Sequence, residues 1–474
     1  MNDRELIGNR TPNIKDFQGK KVFMIGICGS SMSGLARFLK DLGFFVSGST
    51  DRDSTAVSQL CKEGIPVTVG HRPENVEGAA LVVYTTAIPE DHVELMESRR
   101  RNIPILDRPE LLGQIFNKYK NALAVCGTHG KTTTVSMLTQ ILVEDGKDPS
   151  IHIGGELPAI GGGVRIGGSD IFVTEACEYK KAFLHLYPKT AVVLNIDRDH
   201  LDCYADLEEI EAAFGQFMRQ VQKDGRIIAN GNDRHIQKLL KEVSCRTETF
   251  GWTTDCDWYP VHYQEDQQGY AVFELCCRDK NFGQVRMSVP GRFNVENAMA
   301  ALAAAYAMGV NMDHARQTIS TFHGAKRRFE RTSVMNGTEF FHDYGHNPTE
   351  IRNAISIARK RCQNGRLWAV LQPHTFSRLR SMFSEYVLCT AEADITLVTD
   401  VFQARETDPG DLNSGMLVQA MRENGVHAIW TPSFSDAEKV LISEIKPGDL
   451  VITLGCGNIN QLNEQIADHF GEAE

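Results

Sequence analysis

Residues 121–144 constrain the fold more than any other stretch. NALAV (121–125) is an apolar run of strand length, CGTHGKTTT follows it, and an amphipathic helical pattern continues to about Glu144. A strand that turns through glycines into a helix leaves backbone N–H groups converging where phosphate oxygens can bind, aided by the helix N-terminus. Gly127, Thr128, His129, Gly130, Lys131, Thr132 and Thr133 form that turn. The Lys131 ammonium suits terminal phosphate charge, and the Thr132 hydroxyl suits Mg²⁺. The general pattern G-x-x-x-x-G-K-[ST] asks for glycine at 125, where the chain has Val125 and sets its glycine at 127 instead. Such a loop serves a kinase, an ATPase or a ligase equally.

The flanking sequence alternates in the same way. KKVFMIGI (20–27) reads as a strand, followed by a Gly/Ser turn and the helical SMSGLARFLKDLG, with FFVSGST and ALVVYTTAI as further strands. Strand–turn–helix repetition at this spacing predicts a parallel sheet that binds ligands at its strand C-termini. DIFVTEA (170–176) and TAVVLNI (190–196) are buried-strand runs that end in polar residues. Between 245 and 290 the pattern changes to alternation, as in YAVFELCC after a Gln-Gln-Gly turn, which predicts an antiparallel ribbon. FNVENAMAALAAAYAMG (293–309) reads as a helix stopped by Gly309. From about 324, TEFFHDYGH, RLWAVLQPH, DITLVTD and DLVITLGCG are strands, and NPTEIRNAISIARKR is a helix with Pro348 near its start. With 474 residues to bury, the expectation is three α/β domains, at 1–119, 120–323 and 324–474.

A net charge of −11 without a sustained basic run argues against nucleic acid or an anionic membrane as the main partner. The segment MNDRELIGNRTPNIKDFQGK lacks the apolar centre of a signal peptide, and no stretch approaches the roughly 20 apolar residues of a membrane span. A cytoplasmic protein without stable membrane insertion is expected. The 12 cysteines are scattered with no C-x-x-C, and read as small apolar residues in a reducing compartment.

Two polar residues at strand ends narrow the loop's chemistry. Glu175 closes one strand run, and His200 follows another in NIDRDHLD. On neighbouring parallel strands both would face the loop, so that Thr132, Glu175 and His200 could order Mg²⁺ there. A solvated strand end and a loop histidine remain an equal reading of the same spacing.

Taken together, GTHGKTTT, EACEYKKAFLHLYP, NIDRDHLD, GRFNVENAMAA, GAKRRFE, HDYGHNPTEI and QPHTFSR, in this order over about residues 20–460, resemble the Mur ligase family. The resemblance implies a Rossmann-like UDP-binding domain, a central P-loop ATPase-type domain and a C-terminal Rossmann-like domain that closes over the site. It implies ATP-dependent joining of an amino acid, here L-alanine, to the carboxylate of UDP-N-acetylmuramate, with Mg²⁺, in peptidoglycan precursor synthesis. Carboxylate attack on the ATP γ-phosphate would give an acyl phosphate, which the amine displaces through a tetrahedral intermediate. A ligase that recycles a murein tripeptide onto the same UDP-sugar, and a non-catalytic UDP-sugar or nucleotide binder, are the rival expectations. The oligomeric state stays open, a homodimer among the expected assemblies.

By motif match the resemblance makes Lys131, Glu175 and His200 the catalytic set, with Thr132, Glu175 and His200 serving the metal. Asn294 and Asn297, three apart on one helical face, match the adenine side. Arg328 and Asp343 match the C-terminal nucleotide contacts, with Arg327 as the alternative arginine. His346 matches a residue near the incoming amino acid. Arg378 and Arg380, read as alternate positions on an extended segment, would hold its carboxylate. Gly26, Gly29, Ser30, His71, Thr85 and Thr86 fall to the UDP-sugar. Cys28 and Ser31 occupy two positions where the family has glycine, which predicts a narrower approach to pyrophosphate. His342, Asn347 and Asn458 are further departures from the family pattern.

Overall fold

In the computed structural model, which describes residues 11–470, three sheets follow one another along the chain. The first ten residues of the polar N-terminal segment, and the outer ends of the first and third expected domains, lie outside the described residues. The first sheet comprises β1 (Lys21–Ile25), β2 (Phe45–Thr50), β3 (Val67–Val69), β4 (Leu81–Tyr84) and β5 (Ile105–Asp107). Its order is β3-β2-β1-β4-β5 and every pairing is parallel. Between the strands run α1 (Ser30–Asp41), α2 (Thr55–Lys62), α3 (Val93–Arg100) and α4 (Arg108–Phe116). Strand order reverses between β1 and β4, which opens a crevice beyond their C-terminal ends. α1 forms because Met32, Leu35, Ala36, Phe38 and Leu39 recur on one face, and all five are buried.

The central sheet has ten strands: β6 (Asn121–Cys126), β7 (Ser150–Leu157), β8 (Gly162–Arg165), β9 (Ile171–Glu175), β10 (Thr190–Val193), β11 (Arg226–Asn230), β12 (Arg246–Phe250), β13 (Trp258–Glu265), β14 (Ala271–Cys277) and β15 (Lys280–Arg286). The order is β15-β14-β13-β12-β11-β10-β6-β9-β7-β8, with β13–β15 forming the antiparallel ribbon that the alternation predicts. Its helices are α5 (Lys131–Glu144), α6 (Leu207–Arg219), α7 (Arg234–Leu240), α8 (Arg292–Ala307) and α9 (Met312–Thr321). The short side chains of Ala298, Ala300, Ala301, Ala303, Ala304 and Ala305 are fully buried in α8, and let it lie close against α5. That approach brings the start of α8 to the phosphate loop. The first domain docks through α1: a Cβ on Gly34 would stand 2.2 Å from Val164 Cγ2 of β8, so only glycine fits there.

The third sheet contains β16 (Glu330–Met335), β17 (Thr338–Asp343), β18 (Leu367–Leu371), β19 (Ile395–Val398), β20 (Ala428–Trp430) and β21 (Leu450–Leu454), in the order β16-β17-β21-β18-β19-β20. Only the β16–β17 hairpin is antiparallel among these pairs. LWAVL and LVITL, buried at every residue, are the central strands of this sheet, as continuous apolar runs should be. α10 (Pro348–Arg361) and α11 (Phe376–Ser381) face the central domain. Among the described residues no helix is long and apolar enough to cross a membrane.

Candidate active site

β6 leads into α5 through Gly127 (φ 146°) and Gly130 (φ 84°). Both positions need glycine for space as well as conformation: an added Cβ would meet Leu194 Cβ at 2.8 Å from residue 127 and Asn297 Oδ1 at 2.4 Å from residue 130. Lys131 folds back over this loop. Its Nζ donates to Gly127 O (2.5 Å), Thr128 O (3.0 Å) and both Glu178 oxygens (3.0 and 2.9 Å). Burial alone would push Lys131 down and Glu178 up, but their mutual attraction wins, raising the lysine and lowering the carboxyl.

The acid that pairs with Lys131 is Glu178, a residue to which the sequence assigns no role. Glu175 lines the cavity beside the loop, where its Oε1 accepts the Gly154 N–H at 3.1 Å. His200 turns its Nε2 toward Glu178 Oε1, 3.6 Å away. Against the lowering effect of burial, Glu178 and Asp199 raise the His200 pKa.

Thr128, Gly130, Lys131, Thr132, Glu175 and His200 form one wall of a cavity of about 1500 Å³. Cys28 and Ser30 come to it from the first domain, and Arg327, Arg328, His346 and Arg378 from the third. A second cavity of about 510 Å³ adjoins it, lined by His129, Gly130, Thr133, Asn294, Asn297, Arg328 and Asp343. The expected asparagine pair is therefore buried at the loop and bonded within itself, Asn297 Nδ2 donating to Asn294 Oδ1 at 3.1 Å.

Arg328 borders both cavities, whereas Arg327 is tied down by donating to His342 Nε2 (3.1 Å) and Gly457 O (2.8 Å). His342, one of the family departures, is the acceptor that holds Arg327 in place. Asp343 accepts from Phe329 N (2.8 Å) and Gly345 N (2.7 Å), and burial pushes its pKa up to about 6 despite Arg328.

On the far side of the large cavity Arg378 donates to Asp199 (3.2 Å) and to His374 Nδ1 (3.0 Å). Burial and then the Arg378 charge lower His346 to about 4, so this imidazole is neutral at pH 7. Arg380 does not join it. The segment SRLR is helical, capped by the Thr375 side chain, so residues two apart diverge, and the exposed Arg380 pairs with Asp411. This corrects the extended-segment reading.

The UDP-side residues gather at the C-terminal edge of the first sheet. Gly26 (φ 73°) ends β1 beside Thr85, whose Cγ2 would lie 3.1 Å from an added Cβ, and Thr86 follows β4. Gly29 caps α1 and Ser30 opens it, and of the six residues Ser30 is the one that lines the large cavity. His71 is engaged with Ser49 Oγ (3.1 Å) and Glu94 Oε2 (2.9 Å). Neither Cys28 nor Ser31 sits at positive φ, so these departures do not strain the loop. Ser31 instead reaches out of the first domain, its Oγ 3.0 Å from His152 Nε2 on β7.

Spacing alone could not show the contacts that join the central and third domains. His129 lies 3.1 Å from Asp197 Oδ2 and 3.3 Å from Glu350 Oε1, 221 residues away in sequence. Asn347 caps α10 and donates to Arg198 O at 3.3 Å. Burial opposes charge on His129, but the two carboxylates outweigh it and raise its pKa to about 9. A raised histidine stabilises the fold fully below its unfolded value of 6.5 and loses that contribution as pH rises through about 9. Urea unfolding of the wild type is expected to lose on the order of 3 kcal/mol across that window. His129→Gln should flatten the profile, and equal slopes in both proteins would contradict the assignment.

Comparison with known proteins agrees with this architecture. The family models for the Mur ligase family catalytic domain, the Mur ligase middle domain and the Mur ligase glutamate ligase domain match residues 21–120, 125–305 and 327–457. The UDP-N-acetylmuramate–L-alanine ligase of Acetivibrio thermocellus is 42% identical over 446 residues, covering 94% of this chain and 95% of that protein. The enzyme of the same name from Clostridium beijerinckii is 39% identical, covering 95% and 98%. Among solved structures, the UDP-N-acetylmuramate–alanine ligase of Thermotoga maritima superposes with a TM-score of 0.80 at 24% identity, covering 95% of this chain and 99% of that one. A murein peptide ligase from Psychrobacter arcticus superposes at 0.73 and 24%, covering 96% and 100%. The two structures bear on the fold alone; the family models and the curated relatives establish that this chain belongs to the Mur ligase family.

Proposed function

We propose that this chain joins L-alanine to the carboxylate of UDP-N-acetylmuramate, with ATP as co-substrate, by way of an acyl phosphate. The observation that supports it most is one 1500 Å³ cavity that brings together Lys131 on a phosphate loop and Arg378 on the third domain. In this reading residues 1–119 hold the UDP-sugar, 120–323 the nucleotide, and 324–474 the amino acid and the closing face. ATP occupies the loop with its adenine toward Asn294 and Asn297 and its phosphates toward Lys131. Arg328 and Asp343 border the nucleotide from the third domain.

The substrate carboxylate attacks the γ-phosphorus, ADP leaves, and the alanine amine then attacks the acyl carbon and expels phosphate. A carboxylate is a poor electrophile, and phosphorylation gives it a leaving group. Lys131 exchanges Glu178 for phosphate oxygens and steadies charge on the transferring group. Thr132 and Glu175 offer a hydroxyl and a carboxylate to the cavity, an oxygen donor set that suits Mg²⁺. With His200 they are the residues that would hold it, and when bound it would neutralise phosphate charge.

Arg378 receives the alanine carboxylate. Arg378→Ala should therefore raise the KM for L-alanine about 10- to 100-fold, the 1.5–3 kcal/mol of a charged hydrogen bond, and leave the ATP KM nearly unchanged. Equal effects on both constants would remove Arg378 from the amino-acid site. The acyl phosphate is tested with hydroxylamine. ATP, Mg²⁺ and UDP-N-acetylmuramate without amino acid should yield a trapped hydroxamate of the UDP-sugar. ADP formation with no hydroxamate would contradict the route.

A further inference from the structure

Two imidazoles, one just after β3 and one at the N-terminus of α3, converge on one buried carboxylate. Glu94, in the first turn of α3, is fully buried. Its Oε2 accepts from Ser49 Oγ at 2.7 Å and lies 2.9 Å from His71 Nδ1, and its Oε1 accepts from Asn75 Nδ2 at 2.6 Å. Among the described residues no lysine or arginine comes within ion-pair distance of it. A carboxylate withdrawn from water normally keeps its charge only beside a cation.

His92 stands beside this group, its ring 4.5 Å from that of His71 and nearly perpendicular to it. Its Nδ1 is buried with no hydrogen-bond partner among the described residues. One ligand atom from each of His71, His92 and Glu94 lies within 4.8 Å of the other two.

We propose that His71, His92 and Glu94 form a binding site for a divalent transition cation of the zinc class. Two imidazole nitrogens and a carboxylate oxygen are the donor set such ions take, with a fourth position left for water or a ligand. Tetrahedral zinc holds its ligands about 3.3 Å apart, so the three atoms need only draw together by side-chain rotation. Ser49 and Asn75 brace the carboxylate from outside, as partners behind metal ligands do. A simple His71–Glu94 hydrogen bond would account for His71 but would leave the buried His92 nitrogen unexplained. One consequence rests on the proposed function: His71 belongs there to the uridine side, so an ion that holds it opposes UDP-sugar binding.

The test is calorimetric titration of the metal-stripped full chain with Zn²⁺, in excess Mg²⁺ and a phosphine reductant, for wild type, His92→Gln and Glu94→Gln. The wild type should show one tight site that weakens about tenfold or more in each variant, with thermal unfolding used to check that both fold. Zinc K-edge absorption on the wild type should report nitrogen and oxygen ligands. Indistinguishable isotherms in the three proteins, or sulfur ligation from the twelve free cysteines, would overturn the site. The same titration is repeated with UDP-N-acetylmuramate present. Mutual weakening of the two ligands supports the placement of His71. Histidine-dependent Zn²⁺ binding that leaves UDP-sugar affinity unchanged keeps the metal site and overturns that consequence.

Discussion

Lys131→Ala is expected to lower phosphate release about 10³-fold, the scale of losing a preorganised charge stabiliser at the transferring group. UDP-sugar affinity should stay near wild type, because Lys131 contacts the phosphate loop and Glu178 rather than the first sheet. The variant also uncovers Glu178, whose side chain is only 3% exposed. Without the ammonium, burial that now loses to Lys131 takes over and the carboxyl pKa rises. Steady-state phosphate release and UDP-sugar calorimetry on the same preparation check both halves. Turnover within tenfold of wild type would remove Lys131 from phosphoryl transfer.

Glu178→Ala should produce the largest loss of stability, about 3–5 kcal/mol, as breaking a buried pair leaves Lys131 without its counter-charge. His200 loses a neighbour at the same time, since its Nε2 lies 3.6 Å from Glu178. Replacing Lys131 and Glu178 together, with Met and Leu, should recover much of the loss, because neither charge is then stranded. Urea denaturation of Lys131→Met, Glu178→Leu and the double variant measures the coupling. Strict additivity would mean that the pair contributes nothing beyond its separate parts.

What the sequence made legible were features that local spacing encodes. The loop 127–133 announces itself because a strand, two glycines and a helix start are contiguous, and the structure sets α5 at Lys131–Glu144. Asn294 and Asn297 were legible as one helical face, being three apart on an alanine-rich helix, while their match to an adenine side came from the family resemblance. Glu178 was not, although it stands three residues after Glu175. The strand ends at Glu175, and the chain then turns through Lys180 and Lys181 at positive φ, a change of direction that apolar patterning does not record. Arg380 failed for a local reason that could have been read. Thr375 stands three residues before Arg378, a helix-capping spacing, and a helix separates Arg378 from Arg380. The contact of Glu350 with His129, and Asp199 beneath Arg378, depend on how separate domains meet, which no single-segment pattern contains.

Phosphate release from the purified chain with ATP, Mg²⁺ and UDP-N-acetylmuramate, offered L-alanine, L-serine, glycine and a murein tripeptide in turn, decides whether this chain is an alanine-adding ligase. The proposed function requires release that depends strictly on the UDP-sugar and is fastest with L-alanine. A preference for the tripeptide, or release that needs no amino-acid acceptor, would contradict it.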